Sequence, residues 1–375
     1  MKISTLNILN QLVKDYPETT EFRKKVIETT ARNLGYTGKD FYSLLTPEAR
    51  VKVGTYDLSR VLPTTPPVET PQPNAVMRMV ASVTNSEKTF VDVDPTFVPW
   101  GSFKDITKVL KSEMFFPMYI SGLSGNGKTF MVEQACAKLK REVIRVQINP
   151  ETDEDDLIGG FRLVDGETVF AKGPVLKAME SGSILLLDEI DRATNKIMCL
   201  QGILEGKPVL VKKTGDIVKP APGFNVVATA NTKGKGSEDG RFTAASIIDD
   251  AFLERFNISI DQKFPGRNIE EKILTKHFEK FIGDSVMTHG HKDFIEKLVS
   301  WADIIRKTFY DDGIDEVVST RRLCHIIQTF TIFEDKAKAI DLCISRFDDD
   351  TKEAFLDLYT KVDSGVELNN DEEDS

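Results

Sequence analysis

Eight residues in this chain have the types and spacing to hold a polyphosphate. Gly122-Leu-Ser-Gly-Asn-Gly-Lys128-Thr129 fits the pattern GxxxxGK[ST] and follows the apolar run Phe115–Ile120. Its glycines let the backbone curl until successive N–H groups point at one anion. Lys128 supplies a charge for the outer phosphates, the Thr129 hydroxyl is a ligand for Mg2+, and a helix beginning near Thr129 adds its positive dipole end. Gly122, Ser124, Gly125, Asn126, Gly127, Lys128, Thr129 and Phe130 are therefore the candidate nucleotide-binding residues. Further on, Ile184-Leu-Leu-Leu-Asp188-Glu189-Ile-Asp191 is an apolar run that ends in acids. Asp188 is placed to hold Mg2+ with Thr129, and Glu189 to polarise an attacking water as general base. A third run, Phe224–Asn231, ends in an amide, and Asn231 is expected between the acids and the phosphate loop, where it would orient that water. Phosphate binding, a metal and a base imply nucleoside triphosphate hydrolysis.

These residues need a frame that brings three strand ends together. From residue 115 short apolar runs alternate with helix-length segments: Phe115–Ile120, Val143–Ile148, Ile184–Leu187, Phe224–Ala230 and Phe256–Ile260. Continuous apolar strands separated by helices predict an α/β core, a parallel sheet covered on both faces. In such a sheet the C-terminal strand ends share one crevice. After Pro265 the alternation stops, and 263–362 reads as an all-α domain. Before the core, five prolines in the thirteen residues 61–73 predict an extended spacer over 61–79. Residues 1–60 show helical spacing (Ile3, Leu6, Leu9, Val13, then Phe22, Val26, Ile27) and are read as a small helical N-terminal domain. The core then spans 80–262, and the acid-rich end, 363–375, reads as a solvated, disordered tail.

The three chemical elements, in this order, resemble those of AAA+ ATPases: Walker A at Gly122–Thr129, Walker B at Ile184–Asp191 and sensor 1 at Asn231. The stretches GPVLKAMESGSILLLDEIDRA (173–193), VVATANTKGKGSEDGRF (226–242) and DDAFLERF (249–256) resemble the MoxR branch, and within it the CobS-like ATPase subunit of cobaltochelatase, including versions encoded by large tailed bacteriophages. That resemblance covers about 90–330 and implies a Mg-ATP-dependent ATPase with a helical lid, assembled as a homo-oligomeric, hexameric ring. It implies that Arg255, in LERF, is an arginine finger acting on a neighbouring subunit's nucleotide. Sensor 2 falls in Ser319-Thr320-Arg321-Arg322, where Thr320 stands in place of the usual proline; Arg321 is the choice, with Arg322 open. Arg192 and Arg241 are further cationic candidates. Residues 158–172, around Asp165-Gly166, and 207–219, around Thr214-Gly215-Asp216, read as hairpins like the family's client-facing inserts. The family implies a client protein, with a von Willebrand A-type or chelatase partner as the example.

Composition narrows the alternatives. The net charge is −10, of which 363–375 carries −6, and no basic-aromatic patch accompanies it; this argues against a nucleic-acid motor or a phage replication or packaging accessory, the main alternative reading. Lys212, Lys213 and Lys219 on the second hairpin are the candidates for acidic or nucleic partners. A non-hydrolysing scaffold has no need of Lys128, Asp188, Glu189 and Arg255 together. Cys136, Cys199, Cys324 and Cys343 form no CxxC pair, which points to reduced thiols and a cytoplasmic setting, the host cytoplasm for a phage protein. No apolar run approaches the roughly 18–20 residues a membrane span needs. His289 and His291, flanking Gly290 in an expected loop, are not assigned a metal.

Overall fold

The computed structural model describes residues 8, 11–12, 14–16, 19, 21–36, 45, 49–58, 90–164, 166–236, 245–283 and 286–365. The expected proline-rich spacer, Asp165, Arg241 and most of the acidic tail lie outside them. The chain divides into two compact units, Met1–Met79 and Val80–Ser375.

The first unit corrects the expectation of an all-helical domain. Strand β1 (Glu21–Arg23) leads into helix α1 (Lys24–Asn33), and β2 (Arg50–Lys52) and β3 (Thr55–Asp57) complete an antiparallel sheet of order β1-β3-β2. Ile8, Leu12, Phe22, Ile27, Ala31 and Leu58 form its core. The strands escape a pattern search because each has three residues and β2 is exposed along its whole length, so no alternation marks it.

In the second unit, helix α2 (Phe103–Lys111) precedes β4 (Met118–Ser121), which runs through the phosphate loop into α3 (Lys128–Leu139). Then come β5 (Val143–Gln147), the short α4 (Glu154–Leu157), the hairpin β6 (Gly159–Val164) and β7 (Glu167–Lys172), α5 (Pro174–Ser181) and β8 (Ile184–Asp188). A 3-10 turn (Ile190–Arg192), α6 (Gln201–Leu204), the small hairpin β9 (Val209–Leu210) and β10 (Ile217–Val218), β11 (Asn225–Thr229), α7 (Asp250–Leu253) and β12 (Ile258–Asp261) complete the core. Five strands pair in parallel in the order β12-β4-β11-β8-β5. Both predicted hairpins form.

Burial explains which strands read as unbroken apolar runs. Every residue of the three inner strands is buried, whereas the edge strands β5 and β12 are half exposed. In β8, Ile184 and Leu186 face the layer of α2 and α3, and Leu185 and Leu187 face the layer of α5 and α7. The first strand starts later than the apolar run because Pro117 has no N–H to pair, and the Phe116 N–H goes instead to Asn225 Oδ1 at 3.0 Å.

Five helices follow: α8 (Arg267–Ile282), α9 (His289–Tyr310), α10 (Thr320–Phe333), α11 (Lys336–Ile344) and α12 (Asp349–Val362), around Phe278, Phe294, Trp301 and Tyr359. Two expectations change here. His289 and His291 open α9 rather than lie in a loop, with His291 closing a capping box on Thr288. Asp363 is not tail: its side chain is 3% exposed and accepts from Lys297 at 2.8 Å and Lys336 at 3.2 Å, closing α12 onto α9 and α11. No described helix is long and apolar enough to cross a membrane.

Candidate functional site

Lys128 leaves a phosphate loop whose conformation demands glycine. Gly127, the residue before α3, has φ +84°, and a Cβ there would sit 2.6 Å from Trp100. Gly125 has φ +77°, and its Cβ would meet Ser319 Oγ at 2.6 Å, because the start of α10 packs against the loop. The Lys128 ammonium donates to the carbonyls of Gly122 at 2.6 Å and Leu123 at 3.1 Å, and to Asn231 Oδ1 at 3.3 Å. Burial pushes its pKa down to about 8, against the opposing pull of Asp191 and Asp188.

Across the loop, parallel register sets Asp188 at the end of β8 beside Gln147 at the end of β5. Asp188 Oδ1 accepts the Thr129 hydroxyl at 2.7 Å and the Thr229 hydroxyl, and Oδ2 accepts Arg145. Burial raises the Asp188 pKa, but these hydroxyls and the Arg145 guanidinium outweigh it and hold the carboxyl below its usual range. Glu189 has left-handed backbone (φ 57°), which turns its side chain out of the strand into the cleft. There it is held by Gln147 Nε2 and Arg192 Nε, each at 3.2 Å.

One cleft of about 320 Å3 gathers these groups: Lys128, Thr129, Asp188, Glu189, Asn231 and Arg321 all line it, with Ser124–Gly127 and Phe130. Arg321 enters from the N-terminus of α10, and its N–H donates to the Gly125 carbonyl at 3.2 Å. Arg322 does not line this cleft; it lines an adjoining hollow that Arg321 also borders. Gly122 contributes its carbonyl to Lys128 and does not line the cleft. Arg255 is not in the cleft: its Nε donates to Glu205 at 2.9 Å and its Nη1 to the Ala251 carbonyl. Arg192 is tied to Glu189.

Sequence reasoning missed Arg145, Gln147 and Thr229. All three sit on strands, and the strand-end rule that located Asp188 could have found Gln147 and Thr229. It also missed an adjoining, mostly apolar cavity of about 360 Å3, floored by Gly125–Gly127 and walled by Phe97, Trp100, Ile273, His277 and Cys324. Trp100 Nε1 and His277 Nδ1 are buried there with no hydrogen-bond partner among the described residues. No motif marks these residues, which come from both sides of the core–lid junction. Among the described residues no group of three or more His, Cys, Asp or Glu is placed to hold a metal.

Residues 117–248 match the profile of the AAA domain (dynein-related subfamily). The α/β core is an AAA+ ATPase domain. Similar proteins include the aerobic cobaltochelatase subunit CobS of Sinorhizobium sp, 27% identical over 66% of this chain and 75% of that protein. Protein NorQ of Paracoccus denitrificans is 34% identical over 31% of this chain and 43% of NorQ. Midasin of Giardia intestinalis is 27% identical over 51% of this chain but only 4% of midasin. The chain thus has relatives of the CobS and NorQ type, while it spans under half of NorQ and a small part of midasin.

Proposed function

We propose that this chain is a Mg-ATP-dependent AAA+ ATPase of the MoxR/CobS-like type that works as a homo-oligomeric, six-membered ring and remodels a partner protein. The convergence of Lys128, Thr129, Asp188, Glu189, Asn231 and Arg321 on one cleft carries this reading. Lys128 and the loop N–H groups bind the phosphates, and Arg321 approaches them from the lid. Glu189, released from Gln147 and Arg192, takes the proton of the attacking water that Asn231 orients. The neighbouring apolar cavity suits a planar base, with Trp100 Nε1 and His277 Nδ1 free to meet its nitrogens.

The Thr129 hydroxyl and the Asp188 carboxylate, 2.7 Å apart at the loop, are hard oxygen donors of the kind Mg2+ prefers, so the residues fit that ion. When bound there, Mg2+ would neutralise charge on the phosphate oxygens. Arg255, outside its own subunit's cleft, would exchange Glu205 for a neighbour's nucleotide; a cation supplied this way is worth on the order of 10³–10⁵ in rate.

The client surface is drawn from the two hairpins, where Leu163 (75% exposed), Ile217 (64%) and Leu210 (57%) face solvent. Lys212 and Lys213 pair with Glu154 and Asp155, which argues against their serving as nucleic-acid contacts. CobS is by name a chelatase subunit, so a chelatase or von Willebrand A-type protein is the proposed partner class. The test is a client trap with Glu189→Gln, expected to bind ATP and assemble but turn over slowly, against Lys128→Ala as the control. Recovery of such a partner only with Glu189→Gln supports the reading. Nuclease-sensitive recovery of DNA with replication or packaging proteins replaces it with a nucleic-acid motor.

A further inference from the structure

Asp191 is fully buried in the turn after β8, yet among the described residues it forms no ion pair. Its Oδ2 accepts three donors: the Asn231 N–H at 2.9 Å, the Thr232 N–H at 2.9 Å and the Thr232 hydroxyl at 3.1 Å. Among the described residues its Oδ1 has no partner. A buried, half-satisfied carboxylate is costly and calls for an explanation. The connections supply one. The three donors belong to the segment that presents Asn231 to the cleft, and the Tyr119 hydroxyl pins the Thr232 carbonyl at 3.0 Å.

The other side of the same residue leads elsewhere. The Asp191 carbonyl accepts the Ser246 N–H at 2.7 Å, and Ile248 N–H returns to the Gly234 carbonyl at 2.8 Å. Lys235 and Ile247 form a bridge between the same two segments. Asp249 then caps α7, accepting from the Ala251 N–H at 3.1 Å, and Arg255 hydrogen-bonds back to the Ala251 carbonyl. One residue therefore fastens both the segment that carries the proposed water-orienting amide and the segment that leads to Arg255.

We propose that Asp191 is a positioning residue that couples Asn231 in a subunit's own cleft to Arg255 at its outer side, so that the nucleotide held by one subunit sets the arginine it presents to the next. This rests on the proposed roles of Asn231 and Arg255. Short acceptors suit the position: a side chain must meet two successive N–H groups and a hydroxyl at once, which Asp and Asn can do and Ser or Ala cannot. A role confined to stability would lower the melting temperature and ATP affinity together. A positioning role lowers kcat while leaving affinity in place.

The test uses full-length assembled protein, with kcat from phosphate release and affinity from a fluorescent ATP analogue. Asp191→Ala is expected to lose about 10- to 100-fold in kcat, with affinity unchanged within about twofold when read near pH 6, where Lys128 stays protonated without the pull of Asp191. Asp191→Asn should recover most of that loss. The double variant Asp191→Ala/Asn231→Ala should be no slower than the slower single, because both act through one element. Should Asp191→Ala fail to assemble, Asp191→Ser takes its place. In rings doped with Glu189→Gln subunits, the fall in turnover with doping should be steeper than linear for the parent and linear with Asp191→Ala. Losses that multiply in the double variant, or a doping curve unaltered by Asp191→Ala, overturn the proposal alone. Wild-type turnover by Asn231→Ala or Arg255→Ala overturns the roles beneath it, and the proposal with them.

Discussion

Glu270→Gln should unfold the lid's hold on Arg321. Glu270 (1% exposed) and Arg306 (6%) form a buried two-pronged pair, Nη1 to Oε2 and Nη2 to Oε1, both at 2.8 Å. Arg306 Nε donates to the Val318 carbonyl at 2.9 Å, its guanidinium lies 4.2 Å from the Phe264 ring centre, and the Thr320 hydroxyl donates to Glu270 at 2.6 Å. The pair thus ties α8 and α9 to the first residue of α10, next to Arg321. In Glu270→Gln the amide nitrogen faces an Arg306 donor and the guanidinium is left buried without a counter-charge. Breaking a buried pair from one side costs about 3–5 kcal/mol. At about 2–4 °C per kcal/mol for a unit of this size, the melting temperature should drop by roughly 6–20 °C. Far-ultraviolet circular dichroism on heating, with and without ATP, reads it out. Glu270→Leu/Arg306→Met should lose less than Glu270→Gln, because it removes both charges. A drop below about 2 °C, or a double variant worse than the single, would refute the reasoning.

Three further outcomes are expected. Nucleotide phosphates raise the Lys128 pKa from about 8, so binding takes up a proton; affinity should be full below that pH and fall about tenfold per pH unit above it, and a flat titration contradicts this. Gly127→Ala, with φ +84° and a Cβ 2.6 Å from Trp100, should abolish ATP-analogue binding, whereas Gly166→Ala, with the same φ and open space, should lose only the ~1–2 kcal/mol of left-handed strain in a melting curve. Burial raises the Asp363 pKa, but hydrogen bonds from Lys297 and Lys336 outweigh it and hold the carboxyl below its usual range. Its contribution is therefore present above the unfolded value and lost as pH falls through the folded one. Asp363→Ala should destabilise by about 1.5–3 kcal/mol at neutral pH and progressively less as the pH falls through the folded value, and deletion of 366–375 should leave the melting curve unchanged.

The chemistry of the site was legible in the chain because it lies in short contiguous runs. The stretches 115–129, 184–189 and 224–231 each combine an apolar strand with polar residues beyond its end, and a parallel sheet has one crevice for such ends. Inner strands bury both faces, so their runs announce themselves; the three-residue strands of the first unit bury too little to leave a pattern. What only tertiary structure decided are contacts between residues far apart in the chain. That Arg321 lines the cleft and Arg322 does not follows from how α10 docks on Gly125. The Glu270–Arg306 pair, the grip of Asp191 on Asn231 and the wall of Trp100, His277 and Cys324 each join elements whose spacing along the chain carries no periodicity. Asp363 looks like the start of a solvated acidic run until two lysines from other helices close around it. Charge and type are properties of a residue, whereas burial and partner are properties of the fold, and that is why the second set could not be read from the first.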